Sequence, residues 1–419
     1  MRGSTGSYPG TFQLGSQSVT SAGQQAVQDP AALRAAMVSE LCEDTIASEA
    51  VAAAFLTVPR HVFAPDEPLA VVYDVDTALV TKTGPDGKAL SSVSAAHIQA
   101  VMLEQAGIEP GMRVLEIGSG GYNAALLAEL VGDDGAVTSV DIDSDIVARA
   151  RAYLDEAGYE RVRVVQADAE YGVAEHAPYD RIIVTVGAWD IPPAWIEQLT
   201  ERGRIVMPLR FAGLSRCVAF ERAGAGLVSH SYRLGGFVPM QGEGTFTETL
   251  VPINGEATLR IDGPDPGFDV PALRKAMHGR RIERWSGAAF DLPDELELFV
   301  VTSAPQVPFL HASQQLVDQG VFTPAVMYGT AILIDGGSFA YRTKRENEST
   351  DGWESGVYAY GPNAEEIADR YIALLRRWAT QYRHRGAARI EYIPTTAGDA
   401  PPVGWYTPKR HGVVAVTWR

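Results

Sequence analysis

The sequence predicts an α/β fold, a mostly parallel sheet with helices on both faces, followed by an additional C-terminal α+β domain. Three observations carry this. Val114-Leu115-Glu116-Ile117 has the look of a buried strand, and it runs into Gly118-Ser119-Gly120-Gly121 and then a helical stretch from Ala124. Short apolar runs then recur at Ala136–Val140, Val162–Gln166, Asp180–Val186 and Gly203–Pro208, with helical stretches at 145–157 and 192–201 between them. Such alternation argues parallel pairing through crossover helices. Beyond residue 270 the alternation stops and strand-like runs dominate.

Strand, glycine turn and helix form the unit that brings backbone close to a nucleotide-like ligand. The next apolar run ends in Asp141, where a ribose diol would be gripped. This layout suits both NAD(P) and S-adenosylmethionine. Two features favour the second. Glu116 precedes the glycines where dinucleotide enzymes usually keep an apolar residue, and the turn is shorter than G-x-G-x-x-G, without the usual diphosphate cradle. Asp168, just past a third strand, is placed for an adenine amino group and equally for a helix N-cap. A βα turn without any ligand is the bland alternative.

The chain has 419 residues, enough for two or three domains. Its net charge is −17, and most of the acidic excess precedes residue 250. An acidic surface repels phosphate backbones, so no nucleic-acid partner is expected and a basic or neutral peptide is better received. Cys42 and Cys217 stand far apart, with no disulfide framework or zinc spacing, and no metal is expected. A reducing cytoplasm fits this cysteine usage. No apolar run is long enough to span a bilayer, so no membrane partner is expected.

Residues 1–29 are Ser-, Gly-, Gln- and Thr-rich and read as flexible. Pro30 opens a helical region carrying Leu33, Met37, Leu41, Ile46 and Val51, ending before Val58-Pro59-Arg60-His61-Val62-Phe63-Ala64-Pro65. Ala70–Val80 is a further segment, and Gly84-Pro85-Asp86-Gly87 is a turn. Ser91, Ser92, Val93, Ser94, Ala95 and Ala96 lead into a helix holding Ile98, Val101, Met102 and Leu103. These small residues suit either chemistry or plain capping. His97 could be a base, though a lone His at a helix start is more often structural. Phe237–Met240 closes this half, giving a first domain of 30–250, and Ile261–Gly267 reads as a linker to a second of 270–419. There, Leu296–Val301, Met327–Ile334, Ser338–Arg342, Val357–Tyr360 and Val413–Val416 read as strands, with Gly336-Gly337 a hairpin turn. Asn363–Arg385 reads as one helix with an Asn363/Glu366 capping box and an apolar face of Ile367, Tyr371, Leu374, Leu375, Trp378 and Tyr382.

Several separated blocks resemble the protein-L-isoaspartate O-methyltransferase family. They are Val58–Pro65, Ser92–His97, Val114–Gly121, Ala177–Thr185 and Phe237–Pro239. The resemblance implies a Rossmann-like S-adenosylmethionine-dependent methyltransferase domain, with S-adenosylhomocysteine as product. It implies donor contacts at Val93, Ser94, Glu116, Gly118, Ser119, Gly120, Asn123, Asp141, Ile142, Asp168 and Ala169. Ser94 maps to the serine beside the transferring methyl, with Ser92 as its catalytic neighbour, and substrate contacts are implied at Ser92 and Val238. Departures from the family pattern are a glycine motif one residue shorter, Ser92 for Thr, and Ala96 for Pro.

The added C-terminal length, with Val186-Gly187-Ala188-Trp189-Asp190, resembles the branch associated with lanthipeptide and graspetide gene clusters (the FxLD system). That branch implies methylation of an L-aspartate in a modified, macrocyclised precursor peptide, leading to aspartimide or isoaspartate, with the second domain helping to recognise the peptide. Isoaspartyl repair of damaged proteins is the alternative, and a non-catalytic peptide-binding scaffold a third. The sequence assigns no oligomeric state.

Overall fold

The computed structural model describes residues 29–85, 87–291, 293–325, 329–350, 352–395 and 403–418. The segment 1–28, read as flexible, lies outside the described residues, as do Asp86 and Met327. The chain divides into two compact units. The first comprises Met1–Leu209, Arg216–Gly224 and Ser229–Thr245; the second comprises Arg210–Ser215, Ala225–Val228 and Phe246–Arg419.

The first unit opens with helices α1 (Pro30–Asp44), α2 (Glu49–Thr57) and the short α3 (Leu69–Val72). The single helical region expected to run past Ile46 is therefore two helices. Ser48 breaks it, its hydroxyl capping Val51 N–H at 3.4 Å and donating to Glu104 at 2.8 Å. Strands β1 (Leu79–Thr83) and β2 (Ala89–Val93) form a separate antiparallel hairpin, and α4 (Ala96–Ala106) follows.

The α/β repeat then runs β3 (Arg113–Ile117), α5 (Tyr122–Val131), β4 (Ala136–Asp141), α6 (Ser144–Glu156), β5 (Arg163–Gln166), β6 (Tyr179–Val184) and α7 (Pro193–Glu197). It ends with β7 (Leu199–Phe211), β8 (Leu214–Ala223) and β9 (Gly226–Leu234). The sheet order is β9-β8-β7-β6-β3-β4-β5, and β7-β6-β3-β4-β5 pair in parallel. The expected α/β unit is present. Val114, Leu115 and Ile117 of the central strand are buried, as a strand covered on both faces requires. The order reverses between β3 and β6, so the carboxyl ends of these strands flank a topological switch point, where open α/β sheets bind ligands.

The helix expected at 192–201 stops at Glu197. Gln198 ends it: its carbonyl accepts from Tyr179 N–H at 2.8 Å, and its side chain takes Val173 N–H and donates to Tyr171 O. Strands β8 and β9 escaped the sequence reading.

The second unit contains β10 (Thr249–Pro252), β11 (Ala257–Ile261), α8 (Val270–Met277), β12 (Ile282–Ala289), α9 (Pro293–Ser303), β13 (Phe309–Ala312) and α10 (Gln314–Asp318). Next come β14 (Thr330–Asp335), β15 (Ser338–Asn347), β16 (Gly352–Tyr360), α11 (Ala364–Arg377), β17 (Arg389–Pro394), β18 (Trp405–Pro408) and β19 (Gly412–Thr417). Seven strands make an antiparallel sheet ordered β10-β11-β13-β14-β15-β16-β12. Strands β18-β19-β17 continue onto Leu227 and Val228. Gly336-Gly337 makes the expected tight turn between β14 and β15.

Three expectations are corrected here. Leu296–Val301 is helical. Leu296-Glu297-Leu298 alternates like a strand, but Glu297 is buried against Arg342, and Thr302 Oγ1 bonding Leu298 O confirms the helical spacing. Ile261 belongs to β11 and Asp262 pairs with Arg210 at 2.7 Å, so the supposed linker begins inside a folded element. Asn363 caps α11 without a side-chain bond, and the regular helix ends at Arg377, before a π-helical turn over Trp378–Tyr382. Ile367, Tyr371, Leu375 and Trp378 are core, as the periodicity implied.

Removing the Ser48 cap tests the broken-helix reading. Ser48→Ala is expected to lower unfolding free energy by about 1 kcal/mol in denaturant titration, because an N-cap and a bond to Glu104 are lost together.

Candidate active site

The crevice at the carboxyl ends of β3, β4 and β5 brings most of the expected residues together. Its floor is the Gly118–Gly121 turn. Gly118 has φ +94°, and a Cβ there would lie 2.7 Å from Thr185 Oγ1. Gly121 has φ +85°, and its Cβ would lie 2.9 Å from Phe63. Both positions therefore demand glycine for the fold itself. Gly120 differs. It has no positive φ, and a Cβ would meet only Ser92 O at 3.7 Å, an ordinary contact. Nothing in the protein requires glycine there, so the space above it is open for a ligand.

A buried carboxylate holds the turn. Glu116 is fully buried; Asn123 Nδ2 donates to its Oε1 at 2.9 Å and Ser139 Oγ donates to its Oε2. Ser139 faces Glu116 in the β3–β4 register, and its hydroxyl lies 2.8 Å from Ser119 Oγ. Ser119 N–H in turn donates to Asp141 Oδ2 at 2.9 Å, while Asp143 N–H donates to Oδ1. Burial, and to a lesser degree the Asp141 charge, push the Glu116 carboxyl from its ordinary 4.5 up to about 7, against the pull of the two hydrogen bonds. Asp141 is also raised, chiefly by burial. Each Asp141 oxygen receives one backbone N–H here and keeps acceptor capacity for a ribose hydroxyl.

Glu116, Ser119 and Asn123 were expected as donor contacts. All three are buried in the wall of the turn, and each Glu116 oxygen receives one hydrogen bond, from Asn123 and from Ser139. Ile142 is the opposite case, a large apolar side chain left 37% exposed beside Asp141. That suits the face of an adenine ring.

Asp168 fills the N-cap role read from its sequence position. Its Oδ1 caps a short helical turn through Glu170 N–H at 3.0 Å, and its Oδ2 accepts from Glu243 N–H at 2.9 Å. Ala169 is buried and its carbonyl accepts from Trp195 Nε1 at 2.7 Å. Val238 O accepts from Gly187 N–H at 2.7 Å, and Gly187 and Pro239 form a parallel bridge that lays the 237–240 segment along the end of β6.

Ser92, Val93 and Ser94 lie at the end of β2. Ala95 is the N-cap of α4 and makes no side-chain cap, so Ser94 is not spent on capping. His97 is tied to Asp76, Nδ1 to Oδ1 at 2.9 Å, which favours its structural reading. The hairpin carrying these serines is tied to α6 through β1. Lys82 Nζ pairs with Asp143 at 2.6 Å, and Arg149 donates to Thr81 O at 2.8 Å.

Arg60 was quoted within a motif but given no role. It is fully buried, donating to Val72 O, Gln99 Oε1 and Ser94 O, each at 2.8 Å, with its guanidinium 4.9 Å from the Tyr122 ring centroid. It thus joins the serine loop to the first residue of α5. A single Arg carries no sequence signal of burial. The Ser139 role was detectable, since Thr138-Ser139 is a polar pair inside a buried strand at the register of Glu116.

Residues 32–244 match the family described as Protein-L-isoaspartate(D-aspartate) O-methyltransferase (PCMT). The chain belongs to this family. Its members are S-adenosylmethionine-dependent carboxyl O-methyltransferases. The Protein-L-isoaspartate O-methyltransferase of Methanopyrus kandleri is 40% identical over 207 residues, 48% of this chain and 88% of the relative. That of Thermotoga maritima is 41% identical over 175 residues, 41% of this chain and 54% of the relative, so the match spans about half of that relative's length. A solved protein-L-isoaspartate O-methyltransferase aligns with TM-score 0.49 and 23% identity, covering 85% of this chain and 96% of its own. A Plasmodium falciparum structure titled as a protein of this kind in complex with S-adenosyl-L-homocysteine aligns with TM-score 0.43 and 17% identity, over 50% of this chain and 98% of its own. The Methanopyrus relative thus nearly ends with the matched stretch, whereas nearly half of the Thermotoga relative lies outside it.

The open space at Gly120, the exposed Ile142 and the remaining acceptor capacity of Asp141 fit the family's donor. Gly120→Ala is therefore expected to keep the melting temperature and to weaken donor binding by about tenfold or more in calorimetry. Glu116 gives a pH test. Its folded pKa lies above the unfolded value, so its contribution to stability is complete below about pH 4.5 and is lost as pH rises through about 7. Between pH 5 and 8 the donor-free wild type should lose about 2 kcal/mol more than Glu116→Gln in urea unfolding.

Proposed function

We propose that this chain transfers a methyl group from S-adenosylmethionine to an aspartate-derived carboxylate in a peptide. The observation that carries the reading is the preformed turn at Gly118–Gly121, held by Glu116 and facing Asp141, with unspent serines on the adjoining hairpin. When bound, the donor supplies an electrophilic methyl on a sulfonium. Asp141 takes the ribose hydroxyls, Ile142 and Asp168 the adenine, and Gly118 and Gly120 allow backbone approach. A carboxylate is ionised at neutral pH and needs no general base. The protein's task is to align its oxygen with the methyl, and alignment of this kind is worth on the order of 7–11 kcal/mol. Weak hydroxyl donors at Ser92 and Ser94 orient the carboxylate without stabilising the ground state as an Arg clamp would.

The acceptor has two readings. An L-aspartate in a macrocyclised ribosomal precursor peptide, methylated on the way to aspartimide or isoaspartate, rests on the sequence resemblance and on a second unit that lies almost wholly beyond residue 244, where the family match ends. An isoaspartyl residue of a damaged protein rests on the relatives, which carry that name. These names favour the isoaspartyl acceptor; the added unit favours the precursor peptide. A cytoplasmic setting belongs to both, with Cys42 and Cys217 as free thiols. Mass spectrometry of linear, cyclised and isoaspartyl test peptides after incubation with donor separates them. The first reading requires methyl ester, then loss of methanol, on the cyclised peptide; preferential esterification of the isoaspartyl peptide selects the second.

Two variants test the residue roles. Asp141→Ala should weaken donor affinity by about tenfold or more, since each bond to a charged acceptor is worth roughly 1.5–3 kcal/mol. Ser94→Ala should lower kcat with donor affinity nearly unchanged. Calorimetry and steady-state rates on the same preparations check both.

A further inference from the structure

The second unit holds a cavity of about 380 Å³, within the size range of small-ligand sites. The methyl-transfer reading makes no use of it. We propose that it binds the carboxylate side chain of an acidic peptide, between Arg376 and Arg383.

Both walls depart from regular structure. One is β12, whose register on β16 slips between Trp285 and Ala289. Gly287 there has φ +74°, and its N–H donates to the buried Glu354 at 2.7 Å. The buried Ser286 closes the bulge, its hydroxyl donating to Ser355 O and receiving Ala288 N–H. The other wall is the π-helical turn Trp378–Tyr382, which contributes Ala379 and Thr380. Bulges and π-helical turns both concentrate at functional sites, and here one of each borders the same cavity.

The chemistry of the lining is one-sided. Among the described residues, Arg376 and Arg383 line the cavity and no carboxylate side chain does. Arg376 bonds only backbone carbonyls, Ser286 O at 3.0 Å and Trp285 O at 3.5 Å, so its charge has no carboxylate partner in these bonds. Arg383 is aimed by Asp291, which accepts from Arg383 Nε at 2.9 Å through one oxygen and from Trp378 Nε1 at 2.6 Å through the other. The two guanidiniums thus stand at the two ends of the π-helical turn. The hydroxyls of Thr350 and Thr380 donate to Asn347 O and Arg376 O, and Arg383 is ion-paired with Asp291 at 2.8 Å, which leaves Arg376 as the lining's guanidinium without a carboxylate partner. Planar guanidiniums match a carboxylate, and the methyls of Ala288, Ala289 and Ala379 match a carbon stem better than a bare phosphate. The carboxylate rests on the cavity alone; the peptide as its carrier rests on the proposed function.

The full-length chain is titrated with a capped, fluorescein-labelled glutamate-rich peptide and with its glutamine counterpart, by anisotropy, with donor affinity measured in parallel. The glutamate peptide should bind and the glutamine peptide should not. Arg376→Gln should weaken binding by about tenfold with unchanged donor affinity and melting temperature. Ala379→Glu, which places the protein's own carboxylate on the wall, should do the same without removing a guanidinium. Equal binding of the two peptides overturns the proposal, as does undiminished binding in both variants or displacement by inorganic phosphate more readily than by glutarate. Arginine-dependent binding without methyl transfer to any test peptide would remove the methyl-transfer reading and leave this site standing. Methyl transfer without arginine-dependent binding would remove the site alone.

Discussion

The first unit depends on one buried carboxylate. Glu116 sits at the end of the central strand with no exposed surface, and three elements converge on it: Asn123 from α5, Ser139 from β4 and, through Ser139, Ser119 of the turn. A buried acid normally carries a large desolvation cost. Here burial raises its pKa to about 7, and hydrogen bonds to both oxygens offset part of that cost. The return is geometric. The turn between β3 and α5 is fixed so that Ser119 N–H meets Asp141, and Gly120 is left facing open space.

Arg60 does for the serine loop what Glu116 does for the glycine turn. Its three hydrogen bonds end on Val72, Gln99 and Ser94, and its cation lies against Tyr122. The serine loop and the start of α5 are thereby held by the same side chain. Desolvation lowers the Arg60 pKa, yet a guanidinium keeps its charge under all ordinary conditions. Two buried ionisable groups, of opposite kind and on separate elements, therefore fix the two lips of one crevice.

The parallel sheet, the glycine turn and Asp141 were legible because their signals are local: period, a glycine cluster and an acid at a strand tip. Leu296–Val301 reads as a strand because Leu296-Glu297-Leu298 alternates while the partner that buries Glu297, Arg342, lies far along the chain, and α7 was overextended because Gln198 ends it through bonds to Tyr171 and Val173, far away in sequence. Arg60 and the Lys82–Asp143 pair were invisible for the same reason: their partners are brought close only by the fold. The depth of Glu116 was also hidden, since a residue beside a glycine turn reads equally as a ligand contact or as a wall.

The central claim is that the turn is held in its working shape before any ligand arrives, by a network centred on Glu116. Site-resolved amide hydrogen exchange of the donor-free protein tests this most directly. The account predicts that the Ser119 amide, bonded to Asp141, exchanges slowly in the wild type and much faster when Glu116 is replaced by alanine, while amides of β5 are unchanged. Fast exchange at Ser119 in the donor-free wild type, slowed only when donor is added, would contradict it.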